Sequence, residues 1–406
     1  MNDFLFGAAT SAHQVEGNNI HSNWWNFEKQ VLSKKNIKSG KASNHWELFE
    51  EDFKLAKELG HNCHRFSIEW AKIEPKEGEI DFDAIDHYKK VLISLKDKNI
   101  TPIVTLFHFS LPKWFTQKGG FLNKKNIPIF VDYAKFITGE LKEYLKYIIT
   151  INEPVVYAYQ SYLTGTWPPQ KRKYRSYTKV LKNLKNTHIK TYRVLKNRNS
   201  GLQISIAKNN QVFEPARTSN IMDNLLVKYF KYSWNHKFLN QTKKYLDFIG
   251  LNYYFYRSVK FKSSLAKQFY QLPYPTCQKT DMDWEVYPKG IYLMINDLWK
   301  RYKLPIIITE NGVADSKDKL RESMIKETLQ WVFKAKKEGA DIRGYIHWSL
   351  IDNFEWDSGF SPEFGLIKVD YKNFSRSIRP SALVYKDLIN KYSNQFKKLA
   401  IKHQRK

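Results

Sequence analysis

Leu304-Pro-Ile-Ile-Ile-Thr-Glu310-Asn311-Gly312 is the stretch from which the fold can be read. Ile306 to Thr309 are apolar or β-branched, the run stops at a carboxylate, and Asn-Gly follows at once. A short apolar run bounded by turn residues reads as a buried strand ending in a sharp turn. Glu310 then stands at the carboxyl end of a core strand, where parallel α/β barrels do their chemistry. Tyr147-Ile-Ile-Thr-Ile151, followed by Asn152-Glu153-Pro154, repeats the arrangement. A lone carboxylate after a strand is ordinarily a helix cap or a turn residue. Here two share one form, and Pro154 and Gly312 oppose simple continuation of either strand. Two carboxylates at two strand ends are the minimum equipment for hydrolysing a glycosidic bond.

Outward from these two strands the chain alternates. Strand-like runs are Phe4–Ser11, Asn62–Trp70, Pro102–His108, Gly201–Ala207, Asp247–Tyr254 and Arg343–Leu350. Helical spacing marks Trp46–Gly60, Phe82–Lys98, Phe130–Tyr144, Val180–Asn197, Asn220–Phe238, Gly290–Tyr302, Arg321–Gly339 and Ser381–Tyr392. Ala12 to Gly17 reads as an exit loop, and Asn209-Asn210 as a turn after the fifth strand. Eight strands alternating with helices predict parallel pairing, right-handed crossovers and closure into a single (β/α)8 TIM barrel. Its active site belongs at the C-terminal ends of the strands. Residues 1–393 make the barrel domain and 394–406 a basic tail. Arg257 to Trp284 lacks periodicity and reads as a loop excursion at the rim of the site.

Composition narrows the class. The 406 residues are 42% hydrophobic with no apolar run long enough to span a membrane. Met1-Asn-Asp leads straight into Phe4-Leu-Phe without a signal-peptide pattern, which points to a cytoplasmic protein. Cys63 and Cys277 are too few for a disulfide framework. His61, Cys63 and His64 could suggest a metal, but successive strand residues face opposite ways, so no metal site is expected. The formal charge of +27 raises nucleic-acid binding, yet the cations are scattered and no nucleic-acid motif accompanies them. An aromatic fraction of 16%, with 12 Trp, suits a pocket that stacks flat apolar faces against rings.

Six stretches then converge. They are Phe6-Gly-Ala-Ala-Thr-Ser-Ala-His-Gln-Val-Glu-Gly17, Arg65-Phe-Ser-Ile-Glu-Trp70, Thr150-Ile-Asn-Glu-Pro154, Leu251-Asn-Tyr-Tyr254, Ile308-Thr-Glu-Asn-Gly312 and Trp348-Ser-Leu-Ile-Asp-Asn-Phe-Glu-Trp356. In this order they make the chain resemble the glycoside hydrolase family 1 β-glycosidases, from Phe4 to about Tyr392. The resemblance implies Glu310 as nucleophile and Glu153 as acid/base. It implies Gln14, His108, Asn152, Glu355 and Trp356 around the sugar hydroxyls, with Trp348 as the floor. Asn252 and Tyr254 match residues near the nucleophile, and Arg65 its cationic neighbour. No cofactor is implied.

The chemistry is consistent with those roles. A nucleophile must be ionised, and a guanidinium beside it favours the charged form. An acid must start protonated, and burial near a second carboxylate raises its pKa. Retention of configuration requires the two carboxyls ~5–5.5 Å apart. Two departures stand out. Phe109 replaces the usual Trp after His108, removing an N–H donor, and Ser110 replaces a common Asp. Glu363 and Phe364 occupy the loop where phospho-sugar enzymes carry Lys and Tyr, and a negative Glu363 argues against 6-phospho-sugars. The expected activity is release of terminal β-D-glucosyl, or galactosyl or fucosyl, units from short oligosaccharides or aryl and alkyl glycosides. A catalytically silent sugar-binding barrel is the alternative.

Overall fold

The computed structural model describes residues 4–261 and 278–404, with side chains through residue 395. Cys277, much of the predicted excursion, the first three residues, the last two and the side chains from residue 396 onward lie outside the described residues. Eight parallel strands close into a barrel in chain order. They are β1 (Leu5–Ala9), β2 (Cys63–Ser67), β3 (Thr101–Thr105), β4 (Tyr147–Asn152), β5 (Gln203–Pro215), β6 (Ile249–Val259), β7 (Ile306–Asn311) and β8 (Ile342–Trp348). β8 pairs back onto β1, so no edge remains exposed. Ile367–Val369 and Arg376–Ile378 form a separate antiparallel pair.

Strand alternation sorts the apolar residues into two layers. Leu5, Ala9, Cys63, Ile103, Tyr147, Ile149, Ala207, Ile307 and Ile346 cluster together in one group. Their strand neighbours Phe6, Ala8, Val104, Ile148, Ile204, Ile206, Ile306 and Ile308 pack with helix residues in the other. The first group fills the barrel; the second joins it to the helical ring. Helix Phe82–Asp97 is typical of the ring. Asp81 caps it by accepting from the Ala84 N–H, and Ile85, Tyr88, Leu92 and Leu95 are buried along one side. Cys63 lies inside the barrel, while His64 meets Thr10 Oγ1 at 3.1 Å and the Phe53 ring at 5.1 Å. They face opposite ways, as the strand period requires.

Several boundaries differ from the sequence reading. Asn311-Gly312 is not a sharp turn: β7 runs through Asn311. Gly312 is required by packing, since a Cβ there would stand 1.8 Å from the Trp348 carbonyl oxygen. Ala12–Val15 is a helical turn rather than an open loop. β5 passes straight through Asn209-Asn210 to Pro215 because β6 pairs with it as far as Val259, so Arg257 to Val259 are strand, not loop. The helix predicted over Asn220–Phe238 is α-helical over Ile221–Phe230, widens over Lys231–His236 and resumes at Lys237. The last helix runs from Pro380 to Gln404, into the predicted tail. Among the described residues no helix is long and apolar enough to cross a membrane.

Candidate active site

β4 and β7 deliver the two glutamates by breaking their own alternation. On β4 the register with β5 slips between Ile149 and Asn152, and Ile151 joins the outer layer. Asn152, which strict alternation would send outward, is thereby turned into the barrel mouth. On β7 the register with β6 slips so that Ile308 pairs with Leu251 while Glu310 pairs with Asn252. That slip turns Glu310 inward. Glu153 follows β4 with φ +42°, in the left-handed region. Pro154 disfavours the right-handed helical region for it, and its N–H is held by the Ala207 carbonyl at 2.8 Å.

The two carboxylates have different partners. Glu310 Oε1 accepts from Arg65 Nη1 in a short ion pair, and Oε2 accepts from the Tyr254 hydroxyl at 2.9 Å. Arg65 is itself buried inside the barrel. It also donates to the Thr309 carbonyl at 3.2 Å, Asn152 Oδ1 at 2.7 Å and Thr105 Oγ1 at 3.2 Å. Among the described residues Glu153 has no cation within ion-pair distance, and it accepts amide N–H bonds at Oε1, from Asn252 at 2.9 Å and Asn209 at 3.1 Å. Burial, and then the charge of Glu310, push its pKa up to about 7. Glu355 is pushed up to about 8 by burial, then by Glu310 and Asp357. Its Oε2 accepts from Gln14 Nε2 at 3.1 Å.

Hydrogen bonding fixes the orientation of His108. Asn152 Oδ1 is the acceptor facing Arg65, so its Nδ2 faces His108 Nε2, 3.1 Å away, and donates. The imidazole, kept neutral by burial and then by Arg65, therefore carries its proton on Nδ1. Nδ1 has no partner. A buried donor without an acceptor at the edge of a pocket is a place for a ligand hydroxyl.

Gln14, His108, Asn152, Glu153, Tyr254, Glu310, Trp348, Glu355, Trp356 and Phe364 all line one cavity of about 220 Å³. That is below the usual ~300–1,000 Å³ of ligand pockets and fits one sugar ring rather than a chain. Arg65 and Asn252 do not line it; they bond to Glu310 and Glu153 respectively. Trp167, Asn209, Trp284 and Asp357 also line it, though sequence reasoning did not single them out as site residues. Asn209 was legible only from register. The Glu153 N–H bonds to Ala207, and Asn209 is two residues on, on the same face of β5. Trp284 and Met282 place the end of the predicted rim segment at the pocket.

Both departures in sequence acquire a physical account. Phe109 packs against Trp167 and Trp356, with ring centroids 4.9 and 5.3 Å apart, so an aromatic wall remains without the indole N–H. Ser110 bonds to Glu69 Oε1 at 3.1 Å and does not line the cavity. Glu363 does not face the sugar as its sequence position suggests: its carboxylate pairs with Arg379 and does not line the sugar cavity. Phe364 is the residue of that loop which does.

Burial of these acids has a stability consequence. Glu153, Glu355 and Glu69 have folded-state pKa values of about 7, 8 and 7 against an ordinary 4.5. Between 4.5 and 8 the folded state holds protons that the unfolded state has lost. Their contribution is therefore fully present below 4.5 and is lost as pH rises through 7 to 8. Glu355→Gln removes one of these carboxyls, so the melting temperature of the variant should gain on that of wild type as pH rises from 4.5 to 8. A Glu355→Gln profile parallel to wild type would contradict this assignment.

A closed barrel with two glutamates at the mouth and a one-ring pocket over them defines the class: an O-glycoside hydrolase. A family model described as Glycosyl hydrolase family 1 matches residues 1–243 and 229–394. Over 95% of its length the chain is 31% identical to Beta-glucosidase A of Thermotoga maritima, covering 96% of that protein. It is similar in structure to the β-glycosidase from Pyrococcus horikoshii, with TM-score 0.89 and 39% identity over 95% of this chain and 93% of that one. The family 1 β-glucosidase from Thermotoga maritima gives 0.90 and 29%, over 96% and 98%. That enzyme has also been solved with glucoimidazole and with deoxynojirimycin. The chain belongs to glycosyl hydrolase family 1.

Proposed function

We propose that the protein is a retaining exo-β-glycosidase acting on terminal β-D-glucosyl or β-D-galactosyl units, with Glu310 as nucleophile and Glu153 as acid/base. One observation carries this reading: two glutamates share a pocket, one paired with a guanidinium and the other pushed up to about 7. Such a split separates the two roles. Glu153 gives its proton to the glycosidic oxygen as Glu310 attacks the anomeric carbon, and the leaving alcohol departs. The resulting ester cancels the negative charge of Glu310, which is one cause of the raised pKa of Glu153. Glu153, now a carboxylate, takes a proton from water, the water attacks the anomeric carbon, and Glu310 is released.

Gln14, His108, Asn152, Glu355 and Trp356 are proposed to hold the sugar hydroxyls above Trp348. The small cavity supports exo action, because one ring fills it. Among the described residues its acids are Glu153, Glu310, Glu355 and Asp357, against one cation, Arg257. That balance disfavours a phosphate on the sugar. A panel of nitrophenyl α- and β-glycosides tests the reading, with NMR of the first anomer released. The β-glucoside or β-galactoside should be cleaved and the β-sugar appear first. An α-sugar as first product would exclude double displacement. The rate should fall as pH rises through about 7, as Glu153 loses its proton.

A further inference from the structure

Beside the sugar pocket lies a second cavity of about 750 Å³, which shares Tyr159, Gln211, Trp234 and Arg257 with it. Its walls are apolar, including Leu181, Phe213, Leu226 and Phe238. Tyr174 and Tyr229, 62% and 57% exposed, also line it and leave it open to solvent. Its charge is one-sided. Lys182, Lys185, Lys237 and Arg257 line it, and no Asp or Glu does. Among the described residues none of these four cations is paired with a carboxylate; Arg257 only donates to Gln211 Oε1 at 3.3 Å and lies over the Phe255 ring. Four acids thus line the sugar pocket, while the charged residues lining the cavity beside it are all cations.

Resting on the glycosidase reading, we propose that this second cavity is an aglycone site for amphiphilic β-glycosides whose apolar chain ends in an acidic group. The sugar enters the small pocket, and the aglycone leaves it past Trp234 and Arg257. The chain lies against Leu181, Phe213, Leu226 and Phe238. Its carboxylate or phosphate meets Lys182, Lys185 and Lys237. Each methylene fully buried is worth up to roughly fourfold in affinity. Unpaired cations around an apolar slot select an anion over its neutral analogue. The formal charge of +27 thereby acquires a local use at this face.

The test compares 8-carboxyoctyl β-D-glucoside with its methyl ester and with ethyl β-D-glucoside, at low and high salt. For the wild type, kcat/KM should rank acid above ester above ethyl, with the acid ahead of the ester by about tenfold at low salt and less at high salt. In the double variant Lys182→Gln, Lys237→Gln the acid-to-ester ratio should fall toward one. Equal rates for acid and ester in the wild type, or a ratio unchanged in the variant, would overturn the proposal. Calorimetry of nonanoate against nonanamide makes the same comparison without catalysis. Tighter nonanoate binding that the double variant loses supports the site even in an inactive protein, and no difference between the two ligands rejects it. Failure of wild type on every nitrophenyl β-glycoside would instead count against the hydrolase reading.

Discussion

Glu310→Gly should cut hydrolysis of nitrophenyl β-glucoside by roughly four to six orders of magnitude, and azide should restore part of the rate as the α-glycosyl azide. Removing the carboxylate leaves a small cavity below the anomeric carbon, still faced by Arg65 and the Tyr254 hydroxyl. An azide anion fits that charge pattern and displaces the leaving group once, with inversion. Glu153→Ala should behave differently. A nitrophenolate leaves without needing a proton, so the first step survives and a burst of nitrophenol appears. The second step then stalls for want of a base, a loss of roughly 10²–10⁴ in steady-state rate. Azide needs no base. It should release the trapped sugar as the β-glycosyl azide, through two inversions. The two anomers of one product thus assign the two residues independently. Azide products of the same anomer from both variants, or wild-type rates in either, would reverse the assignment.

Arg65→Met should be the most damaging change outside the two glutamates. Arg65 is 1% exposed and donates to four groups, of which only Glu310 is charged. Methionine keeps most of the unbranched stem, ends short of the guanidinium and removes every donor. A buried carboxylate is left without its cation, which costs about 3–5 kcal/mol in folding stability. Turnover should fall by roughly 10²–10³, since the group that holds the charge and position of Glu310 is gone. Arg65→Lys cannot reproduce the planar fork and should recover only part of either loss. A cycle with Glu310→Gln separates the causes. If the stranded charge dominates, Arg65→Met costs much less stability in the Glu310→Gln background than in wild type. Equal costs in both backgrounds would place the effect in the amide and hydroxyl bonds instead. Denaturant unfolding of the four proteins measures it.

How legible the site was depended on where each residue sits. Glu153 and Glu310 were visible because each ends a β-rich run and is followed by Pro or by Asn-Gly. Arg65 was legible from the family resemblance, within the stretch Arg65-Phe-Ser-Ile-Glu-Trp70. The residues proposed to hold the hydroxyls were legible from the family resemblance rather than from spacing, since Gln14 and Glu355 stand in loops and short turns with no periodic signal. Asn209 was misread because Asn-Asn is a turn signal locally, whereas pairing with β6 holds it extended. Glu363 was misjudged because its sequence position carries no information about Arg379, which holds its carboxylate away from the sugar.

By itself the sequence determined the barrel, its eight strands and the two strand ends where the glutamates stand. Those features follow from hydrophobic period, chain breakers and alternation, all of which are local. Only the tertiary structure decided which way the key side chains face. A strict period of two would send both Asn152 and Glu310 outward, and slips of register between β4 and β5 and between β6 and β7 turn them in. Register is a relation between strands distant in sequence, so no single run of residues encodes it. The basic cavity beside the sugar pocket is of the same kind. Lys182, Lys237 and Arg257 come from separate segments, and only closure of the barrel brings their charges together.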